Sequence, residues 1–230
     1  MKKIIILILV LFLNLNIIFS TNNITKETLV KKIQNFFQKN KTITGTFILK
    51  RNNFVETGIF YYQNPDKFKM VFGFNTSTKI EEKTIVSTGK QLWVYLPEIK
   101  VVINQDISRS QSNIAYAGAG FGIRRLIRKY EYEFYNNDSS LKRDNDLEES
   151  VRILRLYNPR SFTGFKEIIL FVREDGFIIK SRATTYDNKT IELIRKNIKL
   201  NEEIDYKHFI FRVPQDAQII KNPLVSSGYR

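Results

Sequence analysis

The residue types that usually carry chemistry are sparse in this chain and poorly spaced for it. His208 is the only histidine among 230 residues, and there is no cysteine. A zinc site therefore lacks its usual ligands. A lone imidazole beside the apolar run Phe209-Ile210-Phe211 reads as structural or surface-facing rather than as a general base. The acidic pairs Glu81-Glu82, Glu148-Glu149 and Glu202-Glu203 are sequence neighbours. In a strand neighbours point to opposite faces, so such pairs do not form a carboxylate dyad there. The small, Gly-rich run from Ala115 to Gly122 matches neither a Walker loop nor a Rossmann fingerprint in its required context. It reads as a mobile connection or lid. No Gly-x-Ser-x-Gly elbow occurs. The chain is not expected to be an enzyme, nor to use a cofactor or a metal.

What the sequence offers instead is apolar bulk at strand spacing. Between Gly58 and Pro97 lie three runs rich in aromatic and β-branched residues, the composition of strands. Asn64-Pro65-Asp66 separates the first two as a turn, and Ser87-Thr88-Gly89-Lys90 marks another. Two hairpins in series make an antiparallel meander. It holds more large apolar side chains than one half-buried face needs. Upstream, Thr25 is positioned to cap a helix in which Leu29, Ile33, Phe36 and Phe37 recur on one face through about Asn40. Ile43 to Lys50 alternates as a strand, as do Glu98-Ile99 to Asn104, Tyr130 to Tyr135, Val151 to Tyr157 and Phe165 to Val172. The turn Glu174-Asp175-Gly176 leads to a strand at Phe177 to Ala183, and Asp187-Asn188-Lys189 to one at Thr190 to Leu200. His208 to Val213 is expected to be the last strand. Phe121 to Tyr130 reads as a short amphipathic helix, with Ile123, Leu126, Ile127 and Tyr130 opposite Arg124, Arg125 and Arg128. Turns at this regularity predict a mainly β fold, a barrel or sandwich with few helices.

The N-terminus predicts export. Lys2 and Lys3 precede a mostly apolar run from Ile4 to Phe19, and Ser20 offers a small residue for cleavage. Residues 1–20 are read as a signal peptide and 21–230 as one domain, soluble and periplasmic. Loss of Lys2 and Lys3 lowers the formal charge from +14 to +12. Export argues against nucleic acid as the partner of so basic a chain and favours anionic membranes or acidic proteins. Without cysteine, the fold rests on burial alone.

The central meander, Asn-Pro-Asp-Lys-Phe-Lys-Met followed by Ile-Val-Ser-Thr-Gly-Lys-Gln-Leu-Trp-Val-Tyr, resembles the LolA-type family of periplasmic carriers that bring lipoproteins to the outer membrane. The tail, an aromatic run closed by Pro214 and the pair Ile219-Ile220, matches the same family. Thr88 stands where that family usually has Asp, and Asn64 where it commonly has Arg. The resemblance implies an open antiparallel half-barrel with a few helices covering an apolar cavity that shelters acyl chains. Phe47, Phe60, Tyr62, Phe68, Met70, Trp93 and Tyr95 are the expected wall. Ile114, Phe121 and Leu126 are the expected lid, and Arg124, Arg125 and Arg128 a docking surface. The implied partners are acylated lipoproteins, an inner-membrane lipoprotein-releasing transporter, and an outer-membrane acceptor or the membrane surface, with the carrier a monomer. The alternative is a lipid- or glycolipid-binding sensor or receiver of the same half-barrel fold.

Overall fold

The computed structural model describes residues 24–73, 82–107, 126–127, 130–157 and 165–223. Helix α1 spans Lys26–Lys39. The Thr25 hydroxyl accepts from the Thr28 N–H at 3.1 Å, so the predicted cap closes its first turn. Strands β1 (Thr42–Arg51), β2 (Phe54–Gln63), β3 (Lys67–Phe72), β4 (Thr84–Thr88), β5 (Gln91–Leu96) and β6 (Val101–Asp106) follow as an antiparallel meander. The second half holds β7 (Glu131–Phe134), β8 (Lys142–Asp144), β9 (Glu149–Tyr157), β10 (Phe165–Arg173), β11 (Ile178–Thr185) and β12 (Thr190–Leu200). The tail ends in β13 (Gln218–Lys221).

Among the described residues these strands form one sheet in the order β13-β6-β5-β4-β3-β2-β1-β12-β11-β10-β9-β7, with β8 paired beside β9. The two terminal strands do not meet, so the sheet stays open. Pairing is antiparallel except for β13 on β6. The fold is thus the expected mainly β half-barrel, and β1 and β12 join its two halves.

Strand direction decides which turns share an end. Residues 52–53, 97–100 and 186–189 fall at one end of the sheet; residues 64–66, 89–90 and 174–176 fall at the other. Helix α1 closes the second end. Lys32 donates to the Glu174 carbonyl at 3.3 Å, and a Cβ on Gly176 would sit 2.4 Å from the Lys32 carbonyl oxygen. Gly176, at φ +95°, is therefore required twice, by its backbone and by the helix above it. Leu29, Val30, Ile33, Phe36 and Phe37 enter the core, with Phe36 on Phe177 at 5.2 Å and Phe37 edge-on to Tyr62 at 5.7 Å.

One expected strand is absent. His208 to Val213 is not a sheet strand: Tyr206–Phe209 forms a 3₁₀ turn, and residues 210–217, with a turn that Ala217 N–H closes on the Pro214 carbonyl, join no ladder before β13. The aromatics there anchor a strap on the outer face of the sheet.

Candidate functional site

Register sorts the meander into two faces. Facing α1, one row across β1–β6 reads Ile43, Tyr62, Phe68, Ser87, Leu92 and Gln105, and every member is buried. Its polar members are satisfied locally. Ser87 Oγ donates to the Asp66 carbonyl and accepts from Gly89 N–H, both at 3.1 Å, and Gln105 donates to the Asp106 carbonyl. This row is closed core under the helix.

The next row on the same face reads Gly45, Phe60, Met70, Ile85, Val94 and Ile103. Phe60 and Met70 are buried, whereas Ile85, Val94 and Ile103 remain half-buried. A third row places Phe47 against Gly58 and Phe72. The Phe47 ring lies across Gly58, where a Cβ would come within 2.7 Å of it and 2.0 Å of the Val71 carbonyl oxygen, and it meets Phe72 edge-on at 4.9 Å. Only glycine at position 58 allows that ring to lie flat on the sheet. Leu49 and Ile191 continue this face, half-buried, toward the end away from α1. Beneath the open sheet, the concave face is thus sealed at the helix end and apolar but incompletely covered toward β4–β6.

Of the expected wall, Phe47, Phe60, Tyr62, Phe68 and Met70 share this face. Trp93 and Tyr95 do not. They pair with Val86 and Thr84 on β4 and lie on the opposite side of the sheet from Leu92 and Val94. The correction has a simple cause: β5 is apolar on both sides, so its alternation carries no sign of which side is inward. Ile85, Val94 and Ile103 are the floor residues that sequence reasoning missed. The Ser87 to Leu92 pairing across the Gly89 turn would have identified them.

What covers the outer side is the C-terminal strap. His208 stacks on Tyr61 at 4.3 Å, Phe211 stacks on Trp93 at 5.4 Å, and Phe209 is buried. Val71, Val86, Tyr95 and Val102 are buried on that face, apart from the main core. Lys100 pairs with Asp216 at 2.5 Å, and Gln218 N–H donates to the Lys100 carbonyl as β13 begins. Burial and the charge of Lys69 push the His208 pKa down, with Asp205 opposing them.

Two further placements bear on the site. Asn64 donates from its side chain to the Gln38 carbonyl and from its backbone to that of Lys41, so this position ties the first turn to the end of α1. Arg195 stands opposite Phe47, buried, and donates to the Ile178 carbonyl at 3.0 Å. Burial pushes its guanidinium down to about 9. Of the expected lid, Leu126 is buried against the concave core, and the Tyr130 hydroxyl beside it donates to the Phe165 carbonyl at 3.3 Å. Ile114, Phe121, Arg124, Arg125 and Arg128, like the expected signal peptide, lie outside the described residues. No cluster of three metal-ligating side chains occurs among the described residues.

Comparison with known proteins agrees with this architecture. The family model described as outer membrane lipoprotein carrier protein LolA matches residues 34–117. The outer-membrane lipoprotein carrier protein of Francisella tularensis subsp. novicida is 25% identical over 227 residues, covering 96% of this chain and 97% of that one. Its counterpart in Francisella philomiragia is 21% identical over 223 residues, covering 96% and 98%. Among solved structures, an uncharacterized conserved protein from Thermus thermophilus superposes with a TM-score of 0.53 at 12% identity, covering 85% of this chain and 98% of that one. That match bears on fold alone. The resemblance to the LolA-type carriers, read from the meander and the tail, is borne out by these relatives.

Proposed function

We propose that this LolA-like chain is a periplasmic carrier that holds the acyl chains of lipoproteins on its concave face and moves them from the inner to the outer membrane. The observation that carries the reading is the graded burial of that face, closed at Tyr62, Phe68 and Leu92 and half-open at Ile85, Val94 and Ile103. Burying a methylene contributes about 0.8 kcal/mol, so such a floor retains an acyl chain without any polar clamp that transfer would have to break. Residues 21–230 act as one unit in this reading, exported by residues 1–20. Leu126, with Ile114 and Phe121, forms the cover, and Arg124, Arg125 and Arg128 guide docking to an inner-membrane releasing transporter and an outer-membrane acceptor.

The test is uptake of a fluorescent fatty acid, with displacement by a triacylated lipopeptide. Displacement by the lipopeptide but not by its deacylated form is the expected result. Failure to take up the probe overturns the reading. Replacing Arg124, Arg125 and Arg128 with Gln is expected to leave uptake unchanged and to slow delivery at low salt, since attraction of this kind acts on the association rate and is screened.

A further inference from the structure

Three of the most exposed large apolar side chains lie at one end of the sheet, the end away from α1. Phe54 is 69% exposed and Val55 62% at the tip of the β1–β2 hairpin; Ile99 is 64% exposed in the β5–β6 turn. Hairpin tips and turns are ordinarily polar, so apolar groups gathered at one end of the sheet, two at the start of β2 and one in the β5–β6 turn, call for a partner that is itself apolar. The tip also bears Lys50 and Arg51, both largely exposed, with Lys83 alongside, against Glu56 as the carboxylate that Arg51 and Lys83 share. Lys50 reaches Glu192, which is buried and also held by Lys180 and Arg182. The β5–β6 turn carries one net negative charge, from Glu98 next to the Lys100–Asp216 pair.

From this arrangement we infer that the rim formed by Phe54, Val55 and Ile99 inserts into the headgroup region of a lipid bilayer, with Lys50 and Arg51 favouring anionic lipid. Aromatic and aliphatic tips next to cations are what an interfacial bilayer contact requires. Register gives the contact a direction. Phe54 pairs with Arg51, and Arg51 with Ile191, on the same side of the sheet as Leu49 and Phe47. The end of the concave face at Leu49 and Ile191 therefore lies next to Phe54, while Val55 and its partner Lys50 present the other side of the sheet to the same bilayer. The purpose of such a contact rests on the carrier reading; its chemistry rests on the rim.

The test is co-sedimentation with vesicles of phosphatidylcholine, alone and mixed with phosphatidylglycerol. The triple variant Phe54→Ser, Val55→Ser, Ile99→Ser is expected to lose partitioning about ten-fold or more on both vesicles, because apolar area no longer leaves water. Lys50→Gln with Arg51→Gln is expected to lose the preference for phosphatidylglycerol while keeping the neutral-vesicle partitioning. All five positions are exposed, so circular dichroism and fatty-acid uptake should match the parent. A parent that does not partition, or a triple variant that partitions like the parent, overturns the inference and leaves fatty-acid uptake to judge the carrier reading by itself. Rim-dependent partitioning in a parent that takes up no fatty acid upholds the rim and removes the carrier reading.

Discussion

Phe68 and Val94 lie on the same face of the sheet two strands apart, and a charge at each should have opposite consequences. Phe68 is fully buried between Tyr62 and Ser87, beneath α1. A carboxylate there has no route to water, and an unpaired buried charge costs several kcal/mol. Phe68→Glu is expected to unfold the chain or to shift its urea midpoint drastically. Val94 is half-buried on the floor, so Val94→Asp should fold, with a circular dichroism spectrum like the parent's, and lose acyl-chain uptake. Similar stability for the two variants would mean the floor is ordinary core. Arg195 poses a different question. Burial holds its pKa down to about 9, well below the ordinary guanidinium value that it regains in the unfolded chain. Between those values the unfolded state binds the proton more tightly, so the contribution of this residue to stability rises with pH across that window. Below about pH 9 the charged form is a cost to the folded state. Arg195→Met is thus expected to match or exceed the parent in stability at pH 7, with its advantage shrinking as pH is raised above 9. Urea unfolding at the two pH values measures this. A large loss at pH 7 would make Arg195 an anchor instead.

At the scale of elements, the strap is where local pattern and structure part. Helix α1 and the strands from β1 to β5 could be read directly, because a capping Thr25, a 3.6-residue apolar period and the turns at Asn64-Pro65 and Gly89 each act locally. His208-Phe-Ile-Phe carries the same period of two as a strand, but a strand also needs a neighbour to pair with, and no local signal specifies one. Here the alternation sets Phe209 and Phe211 down on the outer face of β3–β5. The surplus of apolar side chains in the meander has the same origin: that region is covered outward by the strap as well as inward, at the helix end, by α1. Trp93, the single tryptophan, stacks on Phe211 and so reports on the strap. His208 has a lowered pKa, so the folded state prefers it neutral. The unfolded or detached strap then binds the proton more tightly below the ordinary value near 6.5, and this part of the stability is lost as pH falls through that range. Acidification from pH 7 toward 5 is expected to shift Trp93 emission toward that of an exposed indole. His208→Gln should flatten that pH dependence. An unchanged pH profile in the variant would assign the loosening to other groups.

For the molecule as a whole, openness is the property to be tested. A closed sheet would bury its inner face completely; here the sheet runs from β13 to β7 without closing, and the half-covered floor lies within the first half of that path. Apolar surface left partly wet in the empty protein is stability held in reserve, because a ligand that binds the folded chain alone stabilises it by mass action. At a free concentration one hundred times the dissociation constant the gain is about 2.7 kcal/mol. In a chain of this length each kcal/mol moves the melting temperature by roughly 2–4 °C, so a saturating long-chain fatty acid should raise it by roughly 5–10 °C. Shorter acids should give smaller shifts, since each lost methylene removes burial. The shift should vanish in Val94→Asp and persist in the rim variant at Phe54, Val55 and Ile99, because the floor and the rim are separate surfaces on one sheet. Differential scanning calorimetry across a chain-length series decides the matter. A parent whose melting temperature ignores chain length has no acyl-binding floor. A Val94→Asp protein that still responds places the binding elsewhere on the molecule.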